Sequence, residues 1–151
     1  VGSDKINMMS NMSVFESRTG ILSCKPSELY SFISDIRNFE RFVPHDKING
    51  WHAEKDSCSF SVTGLGVVNV AVSNRTEFTE VIYKGKALSN NNFTLDVGID
   101  ENNDHRATVK VILEAELNTV LKMIATSPVK QFLELLINEL EKFRDWHDTK
   151  G

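Results

Sequence analysis

From Ser57 to Ala115 this chain places an apolar side chain at nearly every second position, and after Leu117 that rhythm gives way to helical spacing. Phe93, Leu95, Val97 and Ile99 alternate with Thr94, Asp96, Gly98 and Asp100. Ala107, Val109, Val111, Leu113 and Ala115 repeat the pattern against Thr108, Lys110 and Glu114, with Ile112 as the exception. Successive side chains of a strand point to opposite faces, so each run predicts a strand with one buried side and one wet side. Weaker versions occur through Cys58, Phe60 and Val62, through Val68, Val70 and Val72, and through Val81, Tyr83, Gly85 and Ala87. A further strand over Ile48 to Lys55 carries Trp51, although Ile48 argues for the other phase. Gly64-Leu65-Gly66, Ser89-Asn90-Asn91-Asn92 and Asp100 to Asp104 separate the runs with turn-forming residues, which predicts an antiparallel meander.

A sheet with one apolar face needs a cover. Leu117, Val120, Leu121 and Ile124 predict a short helical lead-in. Ser127-Pro128 then serves as cap and first turn of a longer helix, with Val129, Phe132, Leu133, Leu136, Ile137, Leu140 and Phe143 as its apolar stripe, running to about His147. Upstream, Ser13 to Ser23 reads as a first strand. Pro26 opens a helix with Leu29, Phe32, Ile33 and Ile36 on one face, and Asn38 caps a short helix that Pro44 stops. The predicted fold class is α+β: a curved antiparallel sheet of six to seven strands wrapped around a long C-terminal helix, with two short helices after strand 1. Residues 12–151 form a single domain, and residues 1–11 read as a disordered or vector-derived leader, with Met8, Met9 or Met12 nearer the natural start.

Charge and chemistry narrow the function. Seventeen Lys and Arg against 21 Asp and Glu give a net charge of −4, which argues against nucleic-acid binding. No apolar run approaches the roughly 18–20 residues of a membrane span, so stable membrane insertion is not expected. Cys24 and Cys58 form no CxxC and read as reduced thiols, pointing to the cytoplasm, and the N-terminal residues lack a signal-peptide layout. His45, His52, His105 and His147 are scattered without ligand spacing, so no metal and no cofactor is expected. The glycine pair around Leu65 reads as a hairpin turn and not a phosphate cradle, since no helix follows it. No pair of titratable residues falls on the inward phase, and no catalytic residue is assigned. Asp96 and Asp100 are expected to be solvated, Tyr83 to be a core tyrosine or a hydrogen-bond handle for a ligand, and Arg75, Glu77 and Glu80 have no settled phase. Trp146 is expected to pack or to sit at the surface.

The segments Lys25-Pro26-Ser27-Glu28-Leu29-Tyr30-Ser31-Phe32-Ile33-Ser34-Asp35 and Asn38-Phe39-Glu40-Arg41-Phe42-Val43-Pro44 resemble the opening of the START-like (SRPBCC) superfamily. The resemblance implies a helix-grip fold with an apolar cavity between sheet and C-terminal helix. It spans members as different as lipid carriers, polyketide cyclases and chaperone activators, and the iron site of its oxygenase branch has no counterpart here. The expected function is a binding or carrier module for a small hydrophobic molecule (lipid, isoprenoid or polyketide-like), a reading that leaves room for a protein partner. The alternatives are a polyketide cyclase- or dehydratase-like enzyme, requiring Arg75, Glu77, Glu80 or Tyr83 to enter the cavity beside another polar group, and a protein-interaction module with a collapsed cavity. Trp51, Phe60, Tyr83, Phe93, Leu95, Val97, Val109, Val111, Phe132 and Leu136 are the expected cavity lining. On this reading, enlarging Val97 or Val111 abolishes ligand uptake and leaves the fold intact.

Overall fold

The computed structural model describes residues Met12 to His147; the predicted leader at 1–11 lies outside them. Strands β1 (Met12–Glu16) and β2 (Gly20–Ile21) are followed by helix α1 (Pro26–Ser34) and a 3-10 helix (Ile36–Phe42). Then come β3 (Ile48–Ala53), β4 (Ser57–Val62), β5 (Gly66–Thr76), β6 (Glu80–Ala87), β7 (Asn91–Glu101), β8 (Ala107–Glu116) and the long helix α2 (Thr119–Lys142). The strands form one antiparallel sheet in the order β1-β8-β7-β6-β5-β4-β3, with β2 also paired to β8.

The sheet has eight strands because the first predicted strand is broken. Ser17 turns inward, its backbone N–H donating to the Val111 carbonyl while its hydroxyl accepts from the Val111 N–H, and pairing with β8 resumes at Gly20. The break turns Arg18 toward α2, where its guanidinium reaches Glu134, Asn138 and Glu141. Glu141 also accepts from the backbone N–H of Ile21. A Cβ at Gly20 would stand 2.9 Å from the Ile137 side chain, so only glycine lets the helix lie this close to the strand.

Three predicted boundaries move. Helix α2 is continuous through Pro128, capped by the Asn118 side chain accepting from the Leu121 N–H. Pro128 removes one backbone bond, but Ala125 and Leu133 on either side are buried, and that packing carries the helix across the gap. The helix ends at Lys142, short of His147, because Phe143 turns to an extended conformation and packs with Trp146 around Phe32. Asn38 does not cap the short helix. The carboxylate of Asp35 does so, accepting from the Arg37 N–H, while the buried Asn38 amide donates to the Phe32 carbonyl.

Phe32 is the centre of an aromatic knot. Its ring lies 6.0 Å from Phe39, 5.6 Å from Phe42, 5.0 Å from Phe143 and 5.3 Å from Trp146. The knot joins α1, the 3-10 helix and the end of α2, and the Trp146 indole N–H donates to Ser23. Replacing Phe32 with Ala is expected to lower the unfolding free energy by about 3–5 kcal/mol, read from urea denaturation, since three segments lose one shared partner. A loss below about 1 kcal/mol would show that the knot holds without its central ring.

Candidate apolar trough between the sheet and helix α2

Cross-strand register lays the inward side chains out in rows. Val70, Gly85, Phe93 and Ala115 form one row; Val72, Tyr83, Leu95, Leu113 and Phe15 form the next; Arg75, Val81, Val97 and Val111 a third; Ile99 and Val109 a fourth. The last two rows lie under α1 and the C-terminal half of α2. There Val81, Val97, Val109, Val111, Leu136 and Ile137 are all buried. Toward the other end burial is uneven: Val68, Leu113, Ala115 and Leu117 stay buried, but their neighbours do not. Trp51, Ala53, Cys58, Phe60, Val70, Val72, Phe93 and Leu95 are half-buried, as are Leu121 and Val129 of α2, and Phe132 is exposed. The sheet and helix therefore enclose a packed half and a second half, the apolar trough, where several inward side chains are only partly covered.

Two glycines shape the trough. Gly50 has φ +65°, and the β3–β4 register shifts there, so Ile48 and Trp51 share the inner face despite their odd spacing. Trp51 thereby stacks on Phe60 with ring centroids 5.5 Å apart. At Gly85 a Cβ would fall 2.6 Å from the Phe93 ring and 2.3 Å from the Asn69 carbonyl oxygen, so glycine lets that ring lie across β6. The structure thus brings Trp51, Phe60, Phe93, Leu95 and Phe132 to the trough and puts Tyr83, Val97, Val109, Val111 and Leu136 in the packed half. Enlarging Val97 or Val111 would strain a filled core, so a blocking substitution belongs at Leu95 instead. Cys58, Val70 and Val129 also line the trough. Their alternation and helical spacing were visible in the sequence, but nothing there distinguished the open end from the closed one.

The polar residues on or near the inner face are committed to one another. The Tyr83 hydroxyl donates to the Ile33 carbonyl, and burial pushes its pKa up. Arg75 binds the Ser34 carbonyl and the Asp56 carboxylate, each at 2.6 Å. Asp35 is fully buried and held by the Arg37 guanidinium, which keeps its carboxyl below the usual range. Glu77 is exposed, and Glu80 lies on the outer face. The four residues a cyclase-type site would draw on are thus paired or outside the trough. Burial pushes the Cys58 thiol up to about 11 and the Cys24 thiol up to about 12, so neither is a ready nucleophile. Among the described residues no three His, Cys, Asp or Glu side chains gather as a metal would require.

On the outer face Asp96 departs from expectation. Its cross-strand neighbours are Ile82 and Ile112, which half-bury it, and its Oδ1 is buried without a hydrogen-bond partner among the described residues. Desolvation first, then Glu80, then Glu114 push its pKa up to about 6. Asp100 is exposed as expected. Two recesses of mixed polarity also mark this face. One, of about 570 Å³, lies among His52, Ser59, Asn69, Lys84 and Lys86. The other, of about 430 Å³, lies between the β4–β5 turn and the β6–β7 loop.

No family model and no curated protein matches the sequence. Solved structures do match by shape. Protein CV1439 from Chromobacterium violaceum superposes with a TM-score of 0.61 at 11% identity over 89% of this chain and 100% of that one. A START superfamily protein from Mycobacterium smegmatis gives 0.58 at 14% over 87% and 97%. Ara h 8.0201 gives 0.56 at 9% over 85% and 97%. The chain has the START-like helix-grip fold.

The raised Asp96 pKa carries a sign. The unfolded chain gives up this proton at lower pH than the folded one, so folded stability falls as pH rises through the interval between the ordinary carboxylate value and about 6. Asp96→Asn is therefore expected to stabilise by about 1 kcal/mol near pH 8, a value discounted for a half-exposed site, and to give no advantage near pH 4. Thermal melts of both proteins at the two pH values check it; an advantage equal at both would point to packing in place of charge.

Proposed function

We propose that this protein binds a small apolar molecule (a lipid, isoprenoid or polyketide-like compound) in the trough between the sheet and α2, and acts as a carrier without transforming it. The observation that supports this reading is the uneven burial of one continuous apolar surface: one half of the inner face is packed under α1 and the end of α2, whereas in the other half Trp51, Phe60, Phe93, Leu95 and Phe132 are only partly covered. Such a surface gains roughly 25 cal/mol for each Å² that a ligand removes from water. The START superfamily neighbour from Mycobacterium smegmatis supports a ligand-binding fold in general terms. DynU16, titled a putative protein in the dynemicin biosynthetic locus, has the same fold, with a TM-score of 0.54 at 11% identity over 87% of this chain and 48% of that one, which fits a polyketide-like ligand.

Carriage is favoured over a cyclase because Tyr83, Arg75, Glu77 and Glu80 offer no polar pair inside the trough. Trp51 and Phe60 form its floor, Phe93 and Leu95 its wall, and Phe132 its cover. Orientation of the ligand would come from van der Waals fit and rim contacts, since Tyr83 already spends its hydroxyl on Ile33. Both cysteines are free, in keeping with a cytoplasmic protein, and no helix among the described residues is long and apolar enough to cross a membrane.

Native mass spectrometry of freshly purified protein, with mass analysis of its organic extract, tests the proposal. A one-to-one apolar adduct is expected. Leu95→Trp, which fills the trough from a half-buried site, should lower its occupancy about tenfold or more with little change in melting temperature. An adduct of undiminished occupancy in that variant would place the ligand elsewhere, and a clean mass without any adduct would overturn the carrier reading in favour of a transiently bound substrate or a protein partner.

A further inference from the structure

The open end of the trough differs from the rest of the surface in both polarity and charge. Register places the β4–β5 turn, the β6–β7 loop and the start of α2 together there, because Val62 pairs with Gly66, Ala87 with Asn91 and Phe93 with Ala115. Large apolar side chains stand in solvent around this rim: Val67 is 60% exposed, Val120 65%, Met123 78% and Ile124 47%. Val120, Met123 and Ile124 lie on the side of α2 turned away from the buried Ala125 and Leu133, so they contribute nothing to the core.

Charge divides along the same axis. The turn Thr63–Val67, the loop Leu88–Asn92 and the helical stretch Thr119–Leu133 contain no acidic residue. Lys47, Lys86 and Lys122 stand at this end, against Asp46 and Glu116, and Lys130 follows at the middle of α2. At the opposite end the β3–β4 turn carries Glu54 and Asp56, the β5–β6 turn Glu77 and Glu80, the β7–β8 turn Glu101 and Asp104, and the other half of α2 Glu134, Glu139 and Glu141, so that acids outnumber the cations Lys55, Arg75, Arg106, Lys142 and Arg18 with which several of them pair. A chain of net charge −4 thus presents a basic, apolar rim and an acidic base. Lys86, which has no ion-pair partner among the described residues, lines the recess of about 430 Å³ together with Asn69, Ser89 and Asn90, a set of donors suited to an anionic headgroup.

We propose that the open end of the trough docks on an anionic phospholipid surface, with Val67, Val120, Met123 and Ile124 entering the interface, Lys122 facing the headgroups and Lys86 holding one in its recess. Exposed apolar side chains beside lysines, with few carboxylates, are what an interfacial segment uses, and the excess of acid at the base orients the molecule rim-first. The proposal deepens the carrier reading, on which it rests for its purpose: the surface that docks is the mouth through which an apolar ligand passes.

Co-sedimentation with phosphatidylcholine vesicles, with and without phosphatidylglycerol, tests it. The wild-type protein should bind the phosphatidylglycerol vesicles, bind phosphatidylcholine alone far more weakly, and release as salt is raised. Met123→Asp combined with Ile124→Asp should abolish binding, and Lys122→Gln or Lys86→Gln should each weaken it about fivefold. Phe78→Ser, at the opposite end, should leave it unchanged; thermal melts verify that every variant folds. Absence of binding to phosphatidylglycerol vesicles, or an equal loss from Phe78→Ser, overturns the proposal. So does a wild-type dimer in sedimentation velocity that Met123→Asp dissociates, because the rim would then cover a second copy. Extracting ligand from the same preparations separates the two readings: loaded protein that ignores vesicles defeats the docking alone, and empty protein that docks defeats the carrier reading alone.

Discussion

Helix α2 is fastened to the sheet along only part of its length, and the shape of the molecule follows from where the fastening lies. Arg18, freed from the strand by the break after Glu16, reaches Glu134, Asn138 and Glu141 on one side of the helix. Gly20 lets Ile137 approach the strand, and the Phe32 knot takes hold of Phe143 and Trp146 just past the helix end. All these contacts fall in the second half of the helix or beyond it. The exposed ion pairs contribute little individually. Their effect is geometric: they set the distance and angle at which the helix leaves the sheet, and the trough is the wedge that remains.

The same economy governs the polar groups near the core. Asp35 with Arg37, Arg75 with Asp56, Asn38 with the Phe32 carbonyl and Tyr83 with the Ile33 carbonyl all converge where α1 ends and the 3-10 helix begins. A helix C-terminus leaves carbonyls without intrahelical partners, and here side chains from the sheet and the following turn satisfy them. Groups that might have served chemistry inside the trough are occupied in holding α1 over the packed half. What remains in the open half is hydrocarbon, aromatic rings and the weakly acidic Cys58 thiol.

Much of this was legible in the sequence because one-sided strands must alternate. Phe93 to Ile99 and Ala107 to Ala115 lie in the phase their pattern demands, and Tyr83 points inward as its neighbours require. The misreadings share one cause: a local signal was overruled by a contact distant in sequence. Ser127-Pro128 has the form of a helix start, yet Ala125 and Leu133 are buried on both sides of it. Asn38 suits a cap, yet the Phe32 carbonyl claims its amide. Trp51 and Ile48 conflict in phase until Gly50 inserts a bulge. Asp96 follows the outward pattern, but the isoleucines opposite it on both neighbouring strands, Ile82 and Ile112, withhold the water that pattern implies. The division of the inner face into filled and open halves had no local signature, because it depends on where α2 is fastened and not on what its stripe contains.

Pro128 stands between the fastened and unfastened parts of α2. It offers no amide hydrogen to the turn before it, so the helical hydrogen-bond ladder lacks a rung at the boundary between them. The segment from Thr119 to Ser127 and the segment from Val129 to Lys142 therefore need not melt together: the first can fray as a local unit while the second stays locked to Arg18 and Gly20. Amide protons in the first segment would then exchange with solvent through smaller openings than those in the second. The wall of the trough that faces the rim can thus open without releasing the fastened half, and a guest could enter or leave while the aromatic knot stays intact.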